Sequence, residues 1–174
     1  MDTVYTGKII TLRVKQVTAV LLLSLALQFT VHLFPFYQGL PWGARLLAMF
    51  YAPLIAVRFF GLQTGIISAL FSPYMNWLFC GQPREALVPA LTMELAAFAA
   101  AAYFLGKKSR NPLFTALLPY LACVLISALL LHFIPGLYPG LNVREFFINA
   151  FVPSVPGLLA LFVLDLVILK YRRK

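Results

Sequence analysis

The sequence has little charge and very few acidic residues. Only 11% of its 174 residues are charged, 14 of them basic and 5 acidic, whereas 62% are hydrophobic. A soluble domain is closer to about 25% charged and about 45–50% apolar. This composition excludes an ordinary soluble fold and predicts an all-α integral membrane protein. No polar stretch is long enough to fold separately, so we expect residues 1–174 to form a single transmembrane domain.

Cysteine is also scarce, with Cys80 and Cys123 as the two examples. Two cysteines are too few for a disulfide framework. Cys123 falls in the middle of an apolar run, and at about 1.5 Å per residue it should lie about 15 Å below the turn that holds Cys80. A disulfide needs Cα atoms within about 7 Å of each other. We therefore expect no bridge between them, and a free Cys80 thiol that faces outward.

Several catalytic motifs are missing. The segment Gly106–Ser109 lacks the register and the preceding glycine of a P-loop, which excludes ATP hydrolysis by that route. No GxSxG nucleophile motif occurs, and the cysteines and histidines match no zinc signature such as CxxC or HExxH. The first apolar run is also too long for a cleavable signal peptide.

Six apolar runs are separated by proline-, glycine- or lysine-rich breakers. We predict that they form a six-helix transmembrane bundle, with spans at Arg13–Phe34, Ala44–Val57, Leu62–Phe79, Arg84–Leu105, Pro112–Phe133 and Phe146–Lys170. The second span is short for a hydrocarbon core of about 30 Å. We expect it to be buried in the bundle, with Arg45 and Arg58 snorkelling at its ends. Alanine and glycine recur at four-residue spacing in spans two and three, which predicts closely packed helices.

The basic residues fall mainly on one side of the predicted membrane. Eleven of the 14 lie there, at Lys8, Arg13, Lys15, Arg58, Lys107, Lys108, Arg110, Lys170, Arg172, Arg173 and Lys174, against Arg45, Arg84 and Arg144 on the other side. The positive-inside rule then places both termini in the cytoplasm. Because the cations sit at the ends of apolar runs and not on one soluble face, we expect no nucleic-acid partner.

The turn at Cys80 carries the most reactive side chain. A thiolate is a nucleophile and a soft ligand for a transition metal, and Gly81 leaves room beside it for a bulky group. The following helix N-terminus and Arg84 favour the thiolate, whereas the C-terminal end of the preceding helix opposes it. From residue types alone, an incidental interfacial cysteine and a metal ligand both remain open.

Other candidates lie at the outward face or inside the bundle. The outward turns hold aromatic, amide and basic side chains that either form an interfacial belt or hold a large, neutral, amide-rich ligand. These are Tyr37, Gln38, Trp42, Asn76, Trp77, Gln82, Arg84, Tyr138, Asn142, Arg144 and Asn149. His32 and His132 lie near the same face. Glu94 lies deep in span four and is functional, protonated, or paired with a buried polar group. Asp165 is expected to form a structural ion pair with Lys170 or Arg58.

The segments GARLLAMFYAPLIAVRFFGLQTG and SPYMNWLFCGQP, together with six spans and outward ligand-type loops, resemble one transporter family. The chain looks like an S-component of the energy-coupling-factor vitamin transporters. Within these it is similar to the BtuM group, solitary S-components for cobalamin in Gram-negative bacteria. The resemblance covers essentially the whole chain.

The resemblance implies cobalamin (vitamin B12) uptake across the bacterial inner membrane, with Cys80 as the axial ligand of cobalt. It also implies a slow removal of cyanide from cyanocobalamin. Trp42, Asn76, Gln82, Arg84, Tyr138, Asn142 and Arg144 are the expected substrate contacts. S-components that share an energising module often carry Ala-x-x-x-Ala in the first helix, and Ala19 is here followed by Leu23. This departure implies no obligatory module.

Two alternatives stay open at this point. The chain could be an S-component for another vitamin that depends on an energising module. It could instead be an intramembrane thiol enzyme, with Cys80 as nucleophile and Glu94 or a histidine as base.

Overall fold

The structure is a computed structural model that describes residues 2–33, 42–109, 111–134, 136 and 142–171. The side chains of residues 2–11 and of His32 lie outside this description. Within the described ranges every regular element is a helix, which confirms the all-α prediction.

Eight α-helices follow one another along these ranges. They are α1 (Asp2–His32), α2 (Trp42–Leu46), α3 (Ala48–Phe60), α4 (Leu62–Cys80), α5 (Val88–Lys108), α6 (Leu118–Phe133), α7 (Val143–Phe151) and α8 (Val155–Tyr171). A short 3₁₀ turn, Glu85–Leu87, leads into α5, and a π-helical turn, Leu113–Leu117, leads into α6.

Four helical segments in the described chain are long and apolar enough to cross a membrane: Leu12–Val31, Trp42–Phe60, Glu85–Lys108 and Leu113–Phe133. The pair α7 and α8, bent by 55° at its break, makes a fifth if it acts as one span. These are the helices of a multi-pass membrane protein. The third predicted span corresponds to α4, which is not among the five because polar residues interrupt it. Six spans and cytoplasmic termini therefore stay predictions.

The second predicted span is broken near its start. Leu47 separates α2 from α3 and has a left-handed backbone, with φ 53°, which is unusual for a bulky residue. The helix then continues to Phe60, beyond the predicted end at Val57. The prediction that Arg58 snorkels was wrong, because its side chain is 6% exposed and turns into the bundle.

Small residues let the helices approach closely, as the four-residue spacing predicted. Ala48, Ala52 and Ala56 are buried along one face of α3. A Cβ atom on Gly65 of α4 would overlap the side chain of Val57, so this glycine sets the distance between α3 and α4. The alanine and glycine pattern is therefore explained by packing.

A second close approach joins α8, which is bent relative to α7, to α2, which the break at Leu47 separates from α3. A Cβ atom on Gly157 of α8 would lie 2.6 Å from the carbonyl carbon of Leu46 and 2.7 Å from the carbonyl oxygen of Arg45. Both atoms belong to the backbone, so no side-chain rotation could relieve the contact. Gly157 thus allows the start of α8 to pack directly on α2.

Aromatic side chains fill the centre of the bundle. The ring of Phe50 on α3 meets Phe98 on α5 edge-on with centroids 5.0 Å apart, and it meets Tyr120 on α6 at 5.4 Å. The Tyr120 hydroxyl donates to the carbonyl oxygen of Ala150 at 2.7 Å. A buried tyrosine keeps its hydroxyl satisfied in this way, and here it ties α6 to α7.

A buried ion pair lies at the end of the bundle where α3 finishes. Arg58 Nε donates to Asp165 Oδ1 at 2.8 Å, and Arg58 Nη2 donates to Asp165 Oδ2 at 3.1 Å. Arg58 Nη2 also donates to the carbonyl oxygen of Thr115 at 2.9 Å, and the Thr115 hydroxyl donates to Asp165. Of the two expected partners of Asp165, the structure selects Arg58, which confirms the predicted structural pair.

Removal of one partner should be costly. We expect Asp165→Ala to lower the free energy of unfolding in detergent by about 3–5 kcal/mol, because it leaves the buried Arg58 guanidinium without its counter-ion. Joint replacement by Arg58→Met and Asp165→Leu should cost clearly less than the sum of the single changes. Chemical denaturation followed by circular dichroism measures both.

The matched control for Asp165→Ala is Lys170→Gln on the same helix, because Lys170 was the other ion-pair partner predicted for Asp165 from the sequence. Lys170 is exposed, so its loss should change the free energy of unfolding by less than about 0.5 kcal/mol. An Asp165→Ala protein as stable as the Lys170→Gln protein would contradict the pair's structural role.

Candidate functional site

The turn between α4 and α5 is shaped by glycine and proline. The helix α4 ends at Cys80, and Gly81 follows in the left-handed conformation with φ 66°, donating its N–H to the carbonyl oxygen of Trp77 at 2.9 Å. Glycine is the usual residue at this position because it has no Cβ to clash. The Gln82–Pro83 peptide bond is cis. The chain therefore turns sharply just after the thiol.

The Cys80 thiol is free and half-buried at this helix end, just beyond the third predicted span. Apart from its chain neighbours Cys80 and Gln82, no heavy atom of the described residues lies within 4 Å of the position that a Cβ atom would take on Gly81, so no other element covers this glycine. Burial raises the pKa of Cys80 above its ordinary value. Desolvation thus favours the neutral thiol over the thiolate.

Two further predicted residues share this turn, and a third lies on a neighbouring element. Gln82 is half-buried and Arg84 is exposed. Trp42 is the first residue of α2 and is half-buried. Successive crossings of the bundle bring the start of α2, the end of α4 and the start of α5 to the same end. These side chains therefore border one face of the bundle together with Cys80.

The start of α7 supplies the next pair of predicted residues. Asn142 caps this helix, because its Oδ1 accepts from the N–H of Glu145 at 2.8 Å while the Glu145 carboxylate accepts from the N–H of Asn142 at 3.4 Å. This reciprocal arrangement is a capping box. Arg144, in the first turn, is exposed. The structure therefore assigns Asn142 a capping role, and its amide nitrogen takes no part in the cap.

Some predicted residues lie outside the described chain. These are Tyr37, Gln38 and Tyr138, and the side chain of His32. Their roles stay predictions.

Asn76 lies inside α4 and not in a loop, as its grouping with the outward turns had assumed. It is fully buried, and its Nδ2 contacts Ser24 Oγ at 3.3 Å and Ser72 Oγ at 3.4 Å. Its Oδ1 is buried with no hydrogen-bond partner in the described residues. The side chain therefore supports α4 from within, one turn before Cys80, and does not reach the open rim.

The polar contact between α1 and α4 was missed in the sequence. Ser24 Oγ and Ser72 Oγ lie 2.5 Å apart. The sequence does carry a signal for this contact. Ser72 and Asn76 on α4 are four residues apart, as are Ser24 and Gln28 on α1, and this spacing places a polar stripe on one face of each apolar helix. The contact holds the helix that ends at Cys80 in a fixed register against α1.

The remaining titratable candidates do not gather around the thiol. Glu94 is half-buried in α5, within electrostatic range of Tyr120 and Cys123. His132 is exposed, with its ring edge-on to Phe133 at 5.2 Å. In the described ranges, no three histidine, cysteine or acidic side chains form a group that could hold a metal ion.

The fold is shared with a known membrane transporter subunit. The structure is similar to that of the S component of a bacterial ECF transporter, with a TM-score of 0.63 and 23% sequence identity over 94% of this chain and 95% of the other. No protein-family model and no curated protein sequence matches the chain. The structural comparison supports the S-component fold that the sequence resemblance implied.

The two thiols should differ sharply in reactivity. A Cys123→Ala protein, which keeps only Cys80, should react with a maleimide in its native state. A Cys80→Ala protein, which keeps only Cys123, should react only after unfolding, because Cys123 is fully buried in the core. Mass spectrometry of the labelled protein measures this. Equal labelling of the two native proteins would show that the structure misplaces one of the thiols.

Proposed function

We propose that this chain is a solitary S-component-type transporter that takes up cobalamin across the inner membrane of a bacterium, with Cys80 as an axial ligand of the corrin cobalt. The proposal starts from the S-component fold. The observation that carries it further is the free, half-buried thiol of Cys80 at a helix end, next to Gly81, which no other described element covers. Both termini would lie in the cytoplasm, and the corrin would bind from the periplasmic side.

The site suits a metal that brings its own equatorial ligands. A corrin supplies four nitrogen ligands to its cobalt, so the protein needs to add only one axial donor, and thiolate sulfur is a suitable soft donor. The lack of a clustered ligand set in the described chain agrees with this requirement. Gly81 removes the side chain that would otherwise stand next to the approaching ring.

The rim residues would contact the periphery of the corrin. Its amide side chains need donors and acceptors, which Gln82, Arg84, Arg144 and Trp42 can provide from three different elements. Asn142 adds an amide nitrogen that its cap does not use. Asn76 acts as a positioning residue in this proposal, because it fixes the last turns of α4 against α1.

Ligation through sulfur also has a chemical consequence for cyanocobalamin. The Cys80 sulfur would displace the nucleotide base, donate an electron pair to Co(III) in its place and release its proton, and cyanide on the opposite face would leave with the electron pair of the cobalt–carbon bond. The products are a cobalt–thiolate complex and hydrogen cyanide, and cobalt stays Co(III). Donation from sulfur weakens the bond on the opposite side, so a slow decyanation would accompany binding.

The absorption spectrum of bound cobalamin tests the ligand role directly. Wild-type protein mixed with cobalamin should shift the visible corrin bands, because thiolate replaces another axial ligand. Cys80→Ala should abolish this shift, while the matched control Cys123→Ala should keep it, since Cys123 lies in the packed core. An unchanged shift in the Cys80→Ala protein would falsify the sulfur–cobalt bond.

The same preparation separates the alternatives. Protein purified from cells supplied with cobalamin should be coloured and show corrin bands. A colourless protein that retains another vitamin would instead identify a different S-component substrate. Turnover of a small substrate that is lost in Cys80→Ala and leaves no ligand bound would identify a thiol enzyme.

Binding should depend on pH in a defined direction. Burial raises the pKa of Cys80, so the free protein carries a thiol near neutral pH. It must release that proton to solvent when sulfur binds the cobalt of a cobalamin whose displaced ligand takes up no proton, which excludes cyanocobalamin from this test. Affinity should therefore rise with pH, by up to about tenfold per pH unit below that pKa. Equilibrium titration at several pH values measures the slope, with Cys80→Ala as the reference for titration of the cobalamin itself. Identical slopes in the two proteins would contradict proton release from Cys80.

A further inference from the structure

A groove opens at the opposite end of the bundle from Cys80. It has a volume of about 410 Å³ and lies between the junction of α3 with α4 and the last turns of α5. Its walls are formed by Val57, Arg58, Phe59, Phe60, Gly61, Tyr103, Gly106 and Lys107. This end of the bundle is the one predicted to be cytoplasmic, and none of these residues takes part in the proposed cobalamin site.

One wall of the groove is a guanidinium that is already fixed in place. Arg58 uses Nε and Nη2 for its bonds to Asp165 and Thr115, and its third nitrogen, Nη1, lies over Gly106. A Cβ atom on Gly106 would overlap Nη1, so the glycine is what allows the guanidinium to reach this wall. The buried pair thus holds an oriented N–H donor group beside the groove, with no further loss of side-chain entropy required.

A second cation stands on the other wall. The Nζ atom of Lys107 lies 4.5 Å from the centroid of the Tyr103 ring, which keeps the ammonium near the groove by a cation–π contact. Lys107 is exposed, and Lys108 follows it on the exposed surface. The groove therefore combines one fixed cation with one that can move onto a ligand.

The sum of charges at the groove is positive. Arg58, Lys107 and Lys108 carry three positive charges, and Asp165 carries one negative charge. The C-terminal ends of α3 and α5 add partial negative charge of about half a unit each, while the N-terminus of α4, which begins after Gly61, adds a similar positive amount. Formal charges therefore decide the sign, and the groove attracts anions with several oxygen acceptors.

From these observations we infer that the groove binds the phosphate of an anionic phospholipid headgroup. The exposed rings of Phe59 and Phe60, 44% and 41% exposed, flank it and offer apolar contact for the acyl chains. Basic pockets between membrane helices on the cytoplasmic side are suited to such headgroups. The apolar flank favours a lipid over a free phosphate.

Titration with defined lipids tests this inference. Delipidated protein in detergent should bind short-chain phosphatidylglycerol more than about tenfold more tightly than phosphatidylcholine of the same chain length. Lys107→Gln should weaken phosphatidylglycerol binding about fivefold, the effect of one basic side chain near an anionic headgroup. Native mass spectrometry measures both affinities and counts the lipids that are bound.

Two further variants separate a built site from general surface charge. Lys15→Gln removes an exposed cation from α1 on the same predicted side, outside the groove, and should leave the affinity unchanged. Gly106→Ala narrows the groove against Arg58 and should weaken binding in protein that still shows wild-type helicity. Equal losses in Lys15→Gln and Lys107→Gln would overturn the inference. So would equal binding of the two lipids, or displacement of phosphatidylglycerol by inorganic phosphate.

Discussion

The structure depends on one buried guanidinium. Arg58 lies on α3, its carboxylate partner Asp165 is on α8, the carbonyl of Thr115 comes from the π-helical turn before α6, and Gly106 of α5 makes room for it. In a chain of apolar helices, a charge at this depth is tolerated only when it is paired and hydrogen-bonded. The need to pair Arg58 therefore fixes α3, α5, α6 and α8 relative to one another at one end of the bundle. The π-helical turn at the start of α6 supplies the Thr115 carbonyl.

The two ends of the bundle are built on different principles. At the Arg58 end, charge pairing and the close packing of Gly65 on Val57 and of Gly106 on Arg58 hold the helices together. At the Cys80 end, the helices finish in turns and caps whose side chains are partly exposed, such as the capping box of α7. Between the ends, buried alanines on α3 such as Ala52 allow close packing, and near the Cys80 end Gly157 of α8 lies directly against the backbone of α2.

The sequence was sufficient for the all-α, multi-pass fold class and for the pair at Asp165, because composition, helix breakers and charge are local signals. It also predicted that Cys80 and Cys123 remain unbridged, and both are free. The sequence was insufficient for features that are determined by contacts between helices in the folded chain. Three features depend on which helices meet in the folded chain, and no local sequence pattern specifies those contacts. They are the inward orientation of Arg58, the break at Leu47 and the burial of Asn76 against Ser24. The protonation preference of Cys80 likewise depended on burial that only the folded chain defines.

The polar stripe of α4 has a consequence for how the chain is made. This helix is not apolar enough to count among the clear membrane spans, because Ser68, Ser72 and Asn76 interrupt it, and these side chains are buried in the folded bundle. Alone among lipid tails, such a helix would expose hydrogen-bonding groups with nothing to bind. Synthesis from the N-terminus delivers α1 first, and Ser24 on α1 is the partner that Ser72 and Asn76 need. If α4 crosses the bilayer as the third predicted span, the first helix would serve as the receiving surface on which this later, less hydrophobic helix enters.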